Sequence, residues 1–204
     1  MRKTLLSFAF VLALTTFTAS LHAQEFDAAF GFGTVKAPAA STNSAGISFP
    51  SLSGGLYPSF SGVFRLKHHI GFGGEVAWRA RQAIYGTDAF GNIEPFRPIF
   101  YDFNGVYGRT WKKVGADVMA GIGGEDLRFY TPFFNCGAFS GCTNYQSSNH
   151  FAFHVGGDIR YYVWGHMFVR PEAHYYVVHN NVEFNNVNVS RFAISIGYSF
   201  LPGF

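Results

Sequence analysis

The chain has little charge and almost no cysteine. Charged residues occupy only 13% of its 204 positions, whereas a soluble domain usually carries about 25%. With 48% hydrophobic residues, it is equally unlike a disordered solvating chain. No sign of charge dominates. Once Arg2 and Lys3 are set aside in the leader described below, 13 basic residues face 12 acidic ones, which argues against a general nucleic-acid binder. Beyond the N-terminus no run of about 18 apolar residues free of charge occurs, so no transmembrane helix is expected. Helical periodicity is also missing from that part of the chain. What is abundant is aromatic and small: 25 Phe and 24 Gly, with aromatics at 19%. Few globular cores pair so many aromatics with so few charges, and a membrane protein fits better.

The first residues, Met1-Arg2-Lys3, precede an apolar run from Leu5 to Leu14 and a stretch from Thr15 to Ala23. These match the charged, apolar and cleavage regions of a secretory signal over residues 1–23, with cleavage after Ala23. A membrane anchor would need about 20 apolar residues, and a lipoprotein would need a cysteine after the run. An exported chain without spanning helices is periplasmic, secreted or a closed barrel, the only other solution that satisfies every backbone group in lipid.

Period-two alternation recurs in the remainder, residues 24–204. From Ile70 to Arg81 one face carries Ile70, Phe72, Val76, Trp78 and Ala80, and the other Gly71, Gly73, Glu75, Ala77, Arg79 and Arg81. The same pattern runs from Phe151 to Tyr162 and from Val169 to Val177, and less purely over Phe26–Gly33, Leu56–Leu66, Ile99–Arg109, Val114–Phe129 and Phe192–Phe200. Eight segments of this length predict an all-β, eight-stranded antiparallel up-and-down transmembrane β-barrel. The connections alternate in length. Lys67-His68-His69, Trp111-Lys112-Lys113 and Trp164-Gly165-His166 are short, while Lys36–Ser53, Ile84–Pro95, Thr131–His150 and Asn180–Val189 are long and rich in turn residues. Short turns are periplasmic in such barrels and long loops extracellular.

A lipocalin-like soluble barrel has the opposite sense of alternation, with apolar residues inside. Here the polar face holds mostly Gly and charged residues while the apolar face is bulky, which suits lipid outside. The inward positions collect Asp27, Glu75, Asp102, Asp117, Glu125, Asp158 and Glu172 with Arg65, Arg79, Arg81, Arg160, Arg170 and Arg191. Arginine offers a planar fork for bidentate carboxylate pairing, and an eight-stranded lumen is just wide enough for side chains to fill. The expectation is a paired interior replacing a hydrophobic core, with an ion path as the alternative.

With signal, strands and turns placed, the chain resembles the bacterial outer-membrane β-barrel domain family, the small eight-stranded barrels of the OmpA and OmpX kind. Its most specific part is the alternating strand Phe192-Ala193-Ile194-Ser195-Ile196-Gly197-Tyr198-Ser199-Phe200, which closes on an aromatic; Pro202-Gly203 then precede Phe204. The resemblance implies insertion by the outer-membrane assembly machinery, outer-membrane lipids as surroundings and a monomer. It carries no inherited activity.

The remaining motifs give no enzyme, cofactor or metal. Barrel hydrolases bring His154, His174, His179 and Glu172 into question, yet no Ser follows His174 or His179 at a two-residue spacing, and an inward His is more often part of a network. His68-His69 offers only two ligands, pointing apart. Gly71-Phe72-Gly73-Gly74 and Gly121-Ile122-Gly123-Gly124 lack the dinucleotide spacing and lie inside strands. Cys136 and Cys142 share the third long loop, where an oxidising compartment favours a disulfide. Around them, Phe133, Phe134 and Phe139 form either a surface patch for an unidentified partner or a cover over the barrel mouth. The expected role is a non-enzymatic outer-membrane barrel acting through its loops, with solute passage second and lipid modification third.

Overall fold

The computed structural model describes residues 25–42, 48–66, 69–87, 92–137 and 141–200. The leader expected over residues 1–23 lies outside this set, as do His68, Pro202, Gly203, Phe204 and the side chains of Phe133, Phe134 and Phe139. The elements are strands β1 (Glu25–Lys36), β2 (Ser41–Thr42), β3 (Ser48–Phe49), β4 (Tyr57–Arg65), β5 (Ile70–Trp78), β6 (Ala83–Thr87), β7 (Ile93–Trp111), β8 (Val114–Gly137), β9 (Gly141–Trp164), β10 (Met167–Val178) and β11 (Val189–Phe200), and a 3-10 turn lies at Val182–Phe184. Each long strand pairs with its neighbours, β5 pairs with β7 and β1 with β11, so β1, β4, β5 and β7 to β11 close an eight-stranded antiparallel ring. Closure leaves the ring no free edge, which lipid requires.

Alternation determines the two faces of the wall. Outward side chains such as Phe103, Ile122, Phe153 and Ile194 are exposed, while inward neighbours such as Asp102, Asn104, His154 and Arg160 are buried. An apolar exterior over a polar interior is that of a barrel standing in lipid. Trp111 and Trp164 lie at two tight turns of one end, Trp164 being 81% exposed, in the manner of an interfacial aromatic girdle. Lys112 and Gly165 complete those turns in the left-handed region, at φ 52° and 53°.

Two departures from the sequence reading bear on function. The segment Thr131–His150 is largely strand: β8 and β9 pair from Val114↔Tyr161 out to Gly137↔Gly141, with a register shift between Tyr130 and Asn135. Its Gly, Ser and Asn content suggested a loop, yet two long strands that continue beyond the wall satisfy each other. The strand predicted from Ile70 to Arg81 stops at Trp78 instead. Trp78 pairs with Ile99 and Ala83 with Phe96, so four residues, Arg79 to Gln82, oppose only Arg97 and Pro98. That bulge ends the inward and outward alternation before Arg81.

Candidate functional site: the lumen and its mouth

At the short-turn end the lumen holds a closed network of charges. Arg65 Nη1 meets Asp27 Oδ2 at 2.5 Å and Glu25 Oε1 at 3.0 Å, and its Nη2 bonds Asp117. Arg160 reaches the same three acids, Asp27 at 2.7 Å, Glu25 at 2.8 Å and Asp117 at 3.2 Å. Ser199 donates to Asp27, and the Tyr162 hydroxyl donates to Glu25 Oε1 at 3.1 Å. Glycine makes room for this layer: a Cβ on Gly108 would stand 1.7 Å from Asp117 Oδ1, and one on Gly115 would stand 2.9 Å from Arg160 Nη2.

Mid-barrel, Arg170 pairs with Glu172 at 2.7 Å and donates to Ser61 and Ser195, while Arg191 meets Glu75 at 2.5 Å. From here a hydrogen-bonded chain runs along the lumen. His174 Nδ1 lies 2.9 Å from His154 Nε2, His154 Nδ1 lies 2.7 Å from Asn104 Oδ1, and the Asn104 amide donates to Asp102 at 2.5 Å. Tyr176 donates to the other Asp102 oxygen at 2.9 Å. The donor directions follow from its end. Because Asn104 donates through nitrogen, its Oδ1 accepts from His154 Nδ1, and His154 Nε2 accepts from His174 Nδ1. His174 Nε2 then faces Glu75 and Glu172 at 3.5 and 3.7 Å. The cavity between these groups leaves about 10 Å³ for the centre of a water molecule, room for one water at most.

Towards the long loops the filling changes to hydrocarbon. Tyr57, Phe96, Phe100, Leu127 and Tyr176 close the bore, joined by Leu52 from the first loop and Phe184 from the fourth. Their rings sit close, with 5.1 Å between Phe100 and Tyr176 and 5.2 Å between Phe96 and Phe184. Beside this plug, Ser148 and His150 of β9 meet Glu183 of the 3-10 turn. Ser148 Oγ donates to Glu183 Oε1 at 2.5 Å, and His150 Nε2 lies 3.1 Å from both Ser148 Oγ and Glu183 Oε2. Asn180, Asn185 and Asn186 adopt left-handed φ near 57°, a conformation asparagine tolerates, and so fold the fourth loop back to the mouth. Asn181 anchors it by donating to the buried Glu125 at 2.6 Å.

Neither a family model nor a curated protein matches the chain. Solved structures do. Neisserial surface protein A aligns with a TM-score of 0.60 at 13% identity, covering 86% of this chain and 97% of its own. Ail, the attachment invasion locus protein of Yersinia pestis, solved with the heparin analogue sucrose octasulfate, aligns at 0.54 and 13% identity over 86% of this chain and 98% of its own. A major outer membrane protein of Thermus thermophilus aligns at 0.52 and 11% identity, over 88% and 100% respectively. The chain has the fold of the small bacterial outer-membrane barrels.

Within this barrel, Asp27, Arg65, Glu75, Asp102, Asp117, Asp158, Arg160, Arg170, Glu172 and Arg191 are buried in the lumen. Two arginines expected there are not. Arg81 is exposed, displaced by the bulge after β5. Arg79 stands half-buried at the mouth with its guanidinium 5.9 Å from the Phe96 ring, and among the described residues it makes no ion pair. Glu125 is buried at the level of the plug and is bonded to Asn181, not to an arginine. His179 is exposed at the rim. The sequence reading missed Ser148, His150 and Glu183. Ser148 and His150 share an inward face only once residues 141 to 150 are known to be strand, and Glu183 arrives from another loop. It also missed Glu25, the acid that completes the first layer.

Proposed function

We propose that the protein is a non-enzymatic, non-conducting barrel of the bacterial outer membrane that presents its long loops and the β8–β9 ribbon at the cell surface. The closed lumen carries this reading: two charged layers and an aromatic plug lie in series, and the cavity in the middle layer has room for one water at most. Solute passage would require displacing Tyr57 and Phe100 as well as breaking the ion pairs. Steady single-channel conductance from the purified protein in planar bilayers would overturn the reading; no conductance is expected.

The mouth cluster supports a clamp more than a hydrolase. In a serine relay the base takes the hydroxyl proton on one ring nitrogen and is held by its acid through the other. Here Ser148 and Glu183 meet the same nitrogen, and Ser148 also donates straight to the carboxylate. The result fastens the fourth loop to β9.

Outer-membrane lipid surrounds the wall, the assembly machinery inserts it, and the barrel works as a monomer. At the tip of the ribbon the register sets Cys136 opposite Cys142, which favours a disulfide that ties the ribbon end. Native protein should then expose no alkylatable thiol until reduced.

A further inference from the structure

The outer wall of β7, β8 and β9 changes character abruptly at its long-loop rim. Outward side chains of β7 run Tyr107, Phe103, Tyr101 and Ile99 and then reach Arg97; those of β8 run Val118 and Ile122 and then reach Asp126, Arg128 and Tyr130. At the other rim Arg109 lies with its guanidinium 5.5 Å from the Trp111 ring. From Arg109 to Arg97, at about 3.3 Å per residue and a tilt near 40°, the wall rises about 30 Å along the membrane normal. That is the thickness of the hydrocarbon. Arg97 and Arg128 therefore stand at the level of the outer headgroups.

These two arginines are direct partners across the strand pair, an arrangement of like charges that is unfavourable by itself. Each is stacked on a ring: the Arg97 guanidinium lies 5.7 Å from Tyr130, and that of Arg128 lies 4.8 Å from Tyr145. Tyr130 and Tyr145 are themselves register partners with centroids 5.8 Å apart. Stacking fixes the plane of a guanidinium and leaves its N–H edge free to donate. Among the described residues the only ion pair here is Arg128 with Asp126, at 2.9 Å through Nε; Arg97 Nε is buried without a hydrogen-bond partner, and Arg97 has no ion pair. Arg81 is exposed in the bulge facing the same stretch of β7.

We propose that Arg97 and Arg128, with Arg81 beside them, form a binding site for the phosphate groups of the glycolipid in the surrounding outer leaflet. The inference rests on the outer-membrane orientation proposed above. An anion between the two guanidiniums converts their mutual repulsion into two charge-assisted contacts, and the oriented forks suit phosphate geometry.

The test uses the whole barrel, purified in a zwitterionic detergent and titrated with bisphosphorylated lipid A, with its dephosphorylated analogue and with inorganic phosphate, adducts being counted by native mass spectrometry. The phosphorylated lipid should bind at least about tenfold tighter than the dephosphorylated one. Arg97→Gln with Arg128→Gln should remove that preference, while Lys112→Gln with Lys113→Gln, which takes the same charge from the opposite rim, should preserve it. A change in gel mobility on heating confirms that each variant is folded. Equal affinity for the two lipids, or an unchanged preference in the arginine double variant, overturns the proposal. Inorganic phosphate displacing the lipid at comparable concentration overturns the assignment to a lipid headgroup. Finding the barrel outside the outer membrane on cell fractionation would refute the orientation alone, leaving the measured phosphate preference to stand.

Discussion

The two halves of the lumen are filled by opposite means. Near the short turns, two arginines and three acids from β1, β4, β8 and β9 bond in a closed set. Near the long loops, Tyr57, Phe96 and Phe100 pack with Leu127 and Phe184. Charges need partners at defined directions and distances, so the first half fails when one member leaves. Hydrocarbon needs only volume, and the second half tolerates a change of shape.

That contrast is open to breakage. Arg160→Ala should have the largest effect, because it leaves Asp27 and Asp117 with Arg65 alone; about 4 kcal/mol of unfolding free energy should be lost, measured by urea unfolding of the reconstituted barrel. Gly108→Ala comes next. Its Cβ collides with Asp117 Oδ1, and the layer has no slack, so about 2 kcal/mol is expected in the same assay. Phe100→Leu in the plug should cost about 1 kcal/mol, since neighbouring rings can close on the lost volume. If Phe100→Leu proves costlier than Arg160→Ala, the distinction between the halves is wrong. Ser148→Ala should leave global stability within about 1 kcal/mol and act locally, speeding amide hydrogen exchange in residues 181 to 186.

Much of this was legible in the chain. Period two alone separates Arg160, Arg170 and Glu172 from Ile159, Val169 and Tyr175, because a strand fixes alternate side chains to opposite faces. The same rule misplaced Arg81, since periodicity carries no sign of a bulge that depends on the partner strand. Polar composition hid the outer part of β8 and β9, whose pairing depends on each other and not on propensity. Pairings between distant segments, such as Ser148 with Glu183 or Arg160 with Glu25, leave no local trace at all.

The seam between β1 and β11 has a consequence for how the molecule comes together. Phe26 faces Phe200 and Asp27 faces Ser199, so the first barrel strand is sealed by the last one, a contact of nearly maximal sequence separation and correspondingly slow to form. Glu25 and Asp27 are on β1, Arg65 on β4, Asp117 on β8 and Arg160 on β9. Until the seam shuts, those groups cannot be enclosed together, and a half-built ring would expose lone charges to hydrocarbon. Assembly of this barrel is thereby pushed towards a single cooperative event, in which burial of the charges and closure of the wall occur as one step.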